Sequence, residues 1–551
     1  MDNKLLLLSR SFPSGSVKIE DMAEILEISH RQTSRSLKKW SDEGWLSFTP
    51  GRGRGNVSQL LWLRNVEEEY EEQVMKLLDT EPVERISKYL MFDWSSGSKM
   101  RLIKKFDTKF GYFTQTKDKL VVPKRYPFLT MHPLEAADAH SAHLVANVFN
   151  RLVSITDTGS IVPEIAHSWD VSDTKLRLYL KKDVMFHDGS ILSAKDVVDC
   201  LEKLRVHKHY KALWSPVEKI VATSTVVVDL HYPDGCSYII QLLSMMSASI
   251  YKLNHDRLIG TGGFLIGDNN KQKTTLVAFK EHFGERPLLD VVEFIQVPKD
   301  FKMVYHSTVD QDNPNSTFQV ESDSGFGVVM MNTNRHSMVQ NKEVRHFLHY
   351  VIAKNRHTIT QYEPRAFPND KSCFIGQDQR IQAPTVVRPS FDAPIVVRVA
   401  DHTERTSMWL KETLEKEGIP VEMKRVTFEQ SIHNDVINQE VDLFVHGEIF
   451  EANQDLSFYN FLINGFSPLI RILQKDKHWI QHLETYKHIP FSKWRSLNLV
   501  TEKKLIESSI MIPLYYEKRQ TPFSGDIMNI KIKHFGYVDF SKLWVRPSIE
   551  N

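Results

Sequence analysis

Apolar residues recur at helical spacing through the first 64 positions. Leu5 to Leu8 begins one short helix, which Gly15 breaks. Ile19, Met22, Ile25 and Leu26 mark a second. Ser29 can cap a third, in which Thr33, Leu37 and Trp40 share a face before Gly44 stops it. Trp45 to Thr49 and Val57 to Leu63 are rich in strand formers and flank Pro50-Gly51-Arg52-Gly53-Arg54-Gly55-Asn56, which predicts a hairpin with a glycine-rich tip. An acidic run at Glu67, Glu68, Glu69, Glu71 and Glu72 precedes a stripe of Val74, Leu77, Leu78, Ile86 and Leu90. Residues 65–115 therefore read as a helical connector. From about 116 short strand runs, such as Leu120 to Val122, Leu176 to Leu180, Thr225 to Leu230, Ile395 to Val399 and Asp442 to Val445, alternate with helical stretches. That pattern predicts a large α/β body over 116–551. The polar stretch from His306 to Gly325 lacks periodicity and reads as a loop or a crossover between lobes.

A chain of 551 residues exceeds the size of one hydrophobic core, so more than one domain is expected. Its ordinary composition, 41% hydrophobic and 25% charged, excludes fibrous and wholly disordered classes. Cys200, Cys236 and Cys373 form neither a disulfide framework nor a zinc spacing and suit a reducing compartment. The opening apolar run is too short for a signal peptide, and no stretch is long and apolar enough to span a membrane. A cytoplasmic protein without membrane contact is expected. HExxH, GxSxG and GxxxxGK are absent, and the histidines show no metal spacing. The expectation is a non-enzyme without metal or cofactor.

Charge changes the picture locally. The whole chain carries a net +1, but residues 29–64 hold seven Lys or Arg against Asp42 and Glu43, a net of +5. In a helix-turn-helix the second helix enters the major groove. Here that helix begins at Ser29 and presents Arg31, Gln32, Ser34, Arg35, Lys38 and Lys39 opposite its apolar face. Arg and Gln match purine edges, and Lys suits phosphate. Arg52 and Arg54 sit between glycines at the hairpin tip. The head over 1–64 is therefore expected to be a winged helix-turn-helix that binds double-stranded DNA.

The body carries a different signal. Pro163-Glu164-Ile165-Ala166-His167-Ser168-Trp169 is followed by Phe186-His187-Asp188-Gly189 and Leu192-Ser193-Ala194-Lys195-Asp196-Val197. Gly260-Thr261-Gly262-Gly263-Phe264, Phe283-Gly284 with Pro287-Leu288-Leu289-Asp290, and Ile512-Pro513-Leu514-Tyr515-Tyr516 come later. These runs, in this order, resemble the markers of family 5 solute-binding proteins, the oligopeptide and nickel binders of import systems. A winged head on such a body resembles the SgrR-type transcription regulators, whose ending Phe535-Gly536-Tyr537-Val538-Asp539-Phe540 and Leu543-Trp544 match. The resemblance implies a two-lobed body of the type II periplasmic-binding-protein class, with lobe one over about 116–300 and 511–551 and lobe two over about 301–510. It also implies a regulator that senses a small solute and controls a transporter or metabolic-stress gene. The chain departs from the group at 132–141 and at 300–325, which bears on the ligand's identity. The His187-Asp188-Gly189 and 260–263 runs are expected to build turns, the glycines through positive φ.

Solute in such a body is held by loops at strand ends between lobes. The strand at 395–400 leads to Glu404 and Arg405 at a helix start, which suits an anionic group. The strand at 442–446 leads to His446 and Glu448, with Asp455 beyond, and a carboxylate there suits a ligand's amino group. Sugar phosphates, peptides and other small metabolites are the candidate solutes. Two other readings remain open at this point: a solute receptor of an import system, and a cytoplasmic peptide-binding protein. The sequence does not fix the oligomeric state.

Overall fold

The structure is a computed structural model. It describes all residues other than 52–56, 115–116, 157, 300, 302–316, 378–379, 381–382, 385, 434, 451–452, 526, 534–536 and 547–551. Arg52 and Arg54, the glycine-rich tip, Phe535-Gly536 and residues 306–316 therefore lie outside the described residues.

The head follows the hydrophobic pattern. Helices Asn3–Ser11, Ile19–Ile25 and His30–Asp42 alternate with a three-stranded antiparallel sheet in which Ser58–Trp62 lies between Gly15–Val17 and Leu46–Thr49. Leu5, Leu6, Leu8, Met22, Leu37 and Trp40 are buried together. The helices Val66–Thr80 and Ser96–Asp107 do not stand apart as a spacer: Tyr70, Val74, Leu78, Leu102 and Phe106 complete the same core. The acidic run of 67–72 is partly neutralised within this unit, because Glu71 takes a forked bond from Arg101 at 2.6 and 2.7 Å. That bond holds the Glu71 carboxyl below its usual range despite partial burial.

The body contains three main sheets. Five strands in the order 264–269, 273–278, 291–296, 118–124, 111–114 form the base of the first lobe, with 291–296 and 118–124 parallel. Side chains of Asp118–Lys124 alternate between faces: Leu120 and Val122 enter the body core, while Val121 enters the head core. A four-stranded antiparallel sheet, ordered 219–224, 227–231, 175–180, 166–171, packs beside it. The second lobe is built on six strands ordered 366–368, 511–524, 317–331, 443–448, 395–400, 421–426. Residues expected as loop up to Gly325 are thus strand from Thr317 onward. Their polarity reflects an antiparallel ladder with Met511–Ser524, which supplies the backbone partners a polar segment needs.

Met511–Ser524 also corrects the expected lobe division. Ile512 to Tyr516 pairs with 326–329 inside the second lobe's sheet and does not lie in the first lobe. The return follows Ser524: the Val538 carbonyl meets His143 Nε2 at 2.9 Å, and Leu288 N–H donates to the Ser541 carbonyl at 3.2 Å. The helices of 454–507 pack on both parts, with Tyr238 against Tyr459 and Trp494.

The sequence runs at 187–189 and 260–263 lock together. His187 N–H donates to the Gly260 carbonyl, and its Nε2 contacts the Gly262 carbonyl, both at 2.9 Å. Gly189 has φ +80°, as a turn requires. Gly260, Gly262 and Gly263 instead lie outside the positive-φ set, so the expectation for them fails. They are glycines for lack of space: a Cβ on Gly262 would lie 2.6 Å from the Asn147 carbonyl oxygen, and one on Gly260 2.6 Å from the Phe149 ring. Asp196 closes a capping box with Ser193 at the start of Ala194–Val206.

Candidate functional site

Two surfaces combine chemistry with accessibility. The first is His30–Asp42. Thr33, Leu37 and Trp40 anchor one face, leaving Arg31, Gln32, Ser34, Arg35, Lys38 and Lys39 exposed on the other. Ser29 is the N-cap, and its side chain accepts from Gln32 N–H. Gln32 Oε1 accepts in return from Ser29 N–H at 3.1 Å, and Ser34 Oγ donates to the His30 carbonyl at 3.0 Å. Both side chains thus serve the helix, which leaves the Gln32 amide NH2 as a donor and the Ser34 Oγ lone pairs as acceptors to address a base. Lys39 lies 3.9 Å from both Asp2 and Glu43, while among the described residues no ion pair engages Arg31, Arg35 or Lys38. Arg64 turns away from this face: its guanidinium sits over Trp45 at 4.3 Å and donates to Glu69 at 2.7 Å. The exposed positive stripe is therefore Arg31, Arg35, Lys38 and Lys39, at positions i, i+4, i+7 and i+8.

The second surface is a cleft of about 330 Å³ between the lobes. Pro133, Ala136 to Ala139, Tyr210 and Met245 to Ser247 line it from the first lobe. From the second come Arg398, His402, Phe428, Ser431, Ile432, His446 to Ile449, and Phe461 and Phe466 among the later residues. The departure from the family pattern at 132–141 thus falls on the cleft wall.

Two of the five predicted ligand residues are in this cleft. His446 and Glu448 face each other at 3.2 Å, and the His446 ring stacks on Phe461 at 5.8 Å. The other three are not brought to it. Glu404 pairs with Arg425 at 2.5 Å beside a separate recess that includes Asp401. Arg405 is exposed, and its charge acts on Glu363 instead. Asp455 accepts from Arg495 Nε at 2.8 Å and Asn498 Nδ2 at 3.0 Å, a structural tie between helices. The Pro-free helix start at Glu404 and the acidic position at Asp455 looked available because their partners, Arg425 and Arg495, are remote or on another helix.

The sequence reading missed Arg398. It lies mid-strand in Ile395–Ala400, is 2% exposed, and lines the cleft. Its guanidinium donates to the Ser431 carbonyl at 3.2 Å and Asn438 Oδ1 at 2.9 Å, and lies 4.9 Å from the Phe444 ring centre. Its Nε has no partner, and no carboxylate pairs with it among the described residues. Burial, reinforced by the like charge of Arg471, pulls its pKa down to about 9, which still leaves it charged at neutral pH. A buried cation without a counter-ion is a costly arrangement that an anionic ligand would relieve. The available signal was an arginine interrupting an otherwise apolar run, Ile395-Val396-Val397-Arg398-Val399-Ala400. Next in sequence to the cleft-lining residues Ala136, Tyr210 and Ile432, the side chains of Glu135, His209 and His433 also bring possible metal-ligating atoms within 4.8 Å of one another.

Residues 4–106 match the model of the sugar transport-related sRNA regulator N-terminal domain, and residues 160–362 match that of bacterial extracellular solute-binding proteins, family 5, middle. HTH-type transcriptional regulator SgrR of Photorhabdus laumondii is 23% identical over 555 residues, covering 96% of this chain and 95% of its own. Its namesake from Escherichia coli O157:H7 is 21% identical over 556 residues, covering 97% and 96%. The two modules together are those of an SgrR-type regulator. The SgrR N-terminal match, from Lys4 to Phe106, takes in both the winged head and the helices that follow it, in keeping with their shared core. The body has the family 5 solute-binding fold. The periplasmic binding protein DppA of Helicobacter pylori, solved with peptide STSA, superposes with a TM-score of 0.64 at 18% identity, covering 78% of this chain and 98% of its own. NikA of Brucella suis, solved with Fe(III)-EDTA, gives 0.61 at 14% identity, covering 78% and 100%. No helix among the described residues is long and apolar enough to cross a membrane.

Proposed function

We propose that this SgrR-type chain is a cytoplasmic, DNA-binding transcription regulator whose body senses a small solute bearing an anionic group. In this reading the head over 1–64 grips duplex DNA. His30–Asp42 enters the major groove, Arg31 with the Gln32 amide addresses bases, and Arg35, Lys38 and Lys39 meet phosphates. The helices of 65–115 join the head to the body. In the cleft, Arg398 takes the anionic group and Glu448, held by His446, takes a cationic or hydroxyl group. Binding rather than catalysis is the activity, and a transporter or metabolic-stress gene is the target class.

The observation that carries the sensing half is the buried, unpaired Arg398 facing a cleft on the same chain as a basic groove-sized helix. The experiment is a mobility-shift titration of the full chain on its own upstream region, at several salt concentrations. It is repeated with sugar phosphates, short peptides and neutral sugars. A steep loss of affinity with salt supports duplex binding. A solute that binds and shifts operator affinity about 5- to 150-fold supports sensing, and reciprocity requires the same factor on solute affinity. Tight solute binding with no salt-dependent duplex binding would favour an import receptor or a peptide-binding protein instead.

A further inference from the structure

We propose that Glu135, His209 and His433 form a binding site for a first-row divalent cation, with Zn²⁺ as the reference ion, that ties the two lobes together beside the cleft. Glu135 and His209 belong to the first lobe, whereas His433 ends the helix Phe428–His433 of the second. Far apart in sequence, they escape any spacing motif. Their ligating atoms all lie within 4.8 Å of one another. His209 Nε2 and His433 Nδ1 are 3.3 Å apart, and His433 Nε2 lies 4.0 Å from Glu135 Oε2. With metal–nitrogen bonds of about 2.0–2.1 Å, a tetrahedral site needs ligand atoms about 3.3 Å apart. The imidazole pair is at that separation through His433 Nδ1, whereas Glu135 faces the ring's other nitrogen, Nε2; one ion engages a single His433 nitrogen, so side-chain rotation must bring the carboxylate to that same nitrogen.

The donor set selects the ion class. Two imidazoles and one carboxylate suit Zn²⁺, Co²⁺ or Ni²⁺ and leave a position for water or a solute group, whereas Mg²⁺ and Ca²⁺ require oxygen ligands. The surroundings orient the ligands, as metal sites require. His207 Nε2 holds Glu135 Oε1 at 3.0 Å. The His209 ring stacks on Phe466 at 3.8 Å, and its carbonyl accepts from Gly465 N–H at 2.8 Å. Pro133, Ala136, Tyr210 and Ile432, neighbours of these ligands, line the solute cleft, so an ion here would sit beside it. One group opposes binding: Lys208 Nζ is 3.4 Å from His433 Nδ1. Its exposed stem is free to swing toward solvent, and its repulsion gives a test of sign. The simpler explanation, an imidazole–imidazole hydrogen bond without metal, makes opposite predictions.

The test uses the full chain, titrated with ZnCl₂ by calorimetry and with Co²⁺ by visible absorption. One tight Zn²⁺ site is expected, with no comparable Mg²⁺ binding. His433→Ala and Glu135→Gln should each lower Zn²⁺ affinity tenfold or more and abolish the tetrahedral Co²⁺ spectrum. His478→Ala, at an exposed position elsewhere, should change neither. Lys208→Ala should tighten binding. Hydrogen exchange should slow in both 207–211 and 428–433 when Zn²⁺ is added to the wild type, and in neither segment in His433→Ala. Absence of a tight site overturns the proposal. So does a tight site that survives both ligand substitutions, or protection confined to one lobe.

Discussion

Replacing Arg398 by Met separates a ligand-binding role from a packing role. The free protein should tolerate the change. The wild-type guanidinium is buried without a carboxylate, and only two acceptors satisfy it. The Ser431 carbonyl keeps a donor, because Asn438 Nδ2 also reaches it at 3.0 Å. Only Asn438 Oδ1 is orphaned, at about 1–3 kcal/mol. Removing an uncompensated buried charge in favour of an apolar side chain of similar length offsets a comparable amount. The net change in unfolding free energy should stay within about 2 kcal/mol, read from urea melts. Affinity for an anionic solute should fall by about 2–5 kcal/mol, or roughly 30- to several-thousand-fold. The paired measurements are urea denaturation and calorimetry with whichever sugar phosphate or peptide binds the wild type. Operator binding by the solute-free variant should persist while the solute response disappears. Loss of about 4 kcal/mol or more of stability with unchanged solute affinity would refute the reasoning and assign Arg398 to the core alone.

Other positions give independent expectations. Arg31→Ala should leave stability within about 0.5 kcal/mol but cost about 1–3 kcal/mol of discrimination between duplex sequences. Gln32→Ala should also destabilise the head by about 1 kcal/mol, because it dismantles the capping box; equal melting of the two variants would contradict that role. Lys39→Ala should weaken binding to all duplexes and lower the slope of log affinity against log salt by about 0.9; an unchanged slope would remove it from the phosphate contacts. Gly262→Ala drives a Cβ into the Asn147–Val148 backbone and should cost about 3 kcal/mol or more, so normal expression and melting would show that the junction yields. Burial holds the His187 pKa down to about 4 and that of His349 to about 3, against about 6.5 unfolded. Below pH 6.5 the unfolded chain therefore binds protons that the folded chain refuses. Stability should fall as pH drops from 6.5 toward 4, by about 1.4 kcal/mol per unit for each histidine. His187→Gln should reduce that slope, and a flat profile between pH 7 and 5 would contradict it.

The head was legible because its signals are local. A capped amphipathic helix, a glycine stop and two strand runs around a glycine-rich tip each lie within a few residues of their cause. The family 5 body was legible through ordered short runs whose residues build turns and close backbone approaches, such as His187 against Gly260 and Gly262. The site was less legible because its partners are distant. Asp455 and Glu404 looked available only because Arg495 and Arg425 are invisible as partners in sequence. Arg398 was hidden for the opposite reason: an apolar strand suggested packing, and its single charge marked the cleft floor. Gly260 and Gly262 show a correct residue type with a different cause, contact in place of φ. The run Leu120-Val121-Val122 carried more than its strand. Continuous apolarity signals burial on both faces, and the second face is covered by the head.

That docking constrains how a solute could act on DNA. Val121, Ile295, Val297 and Phe301 of the first lobe lie in the head's core, with Phe110 meeting Phe301 edge-on at 5.2 Å. Lys273 adds an ion pair to Glu84 at 3.4 Å. An apolar junction of this kind makes the head and the first lobe one mechanical unit rather than two bodies on a tether. Cleft closure then cannot swing the head relative to its own lobe; it moves the second lobe relative to both. The second lobe's sheet begins at Thr317, and Phe301, the last described residue before it, is seated in the head's core. Solute binding at Arg398 would reposition the second lobe against a fixed DNA-reading face. The effect on transcription would then arise from what that lobe covers, approaches or contacts near the duplex. A solute that binds both lobe arrangements equally would move nothing, however tightly Arg398 holds it.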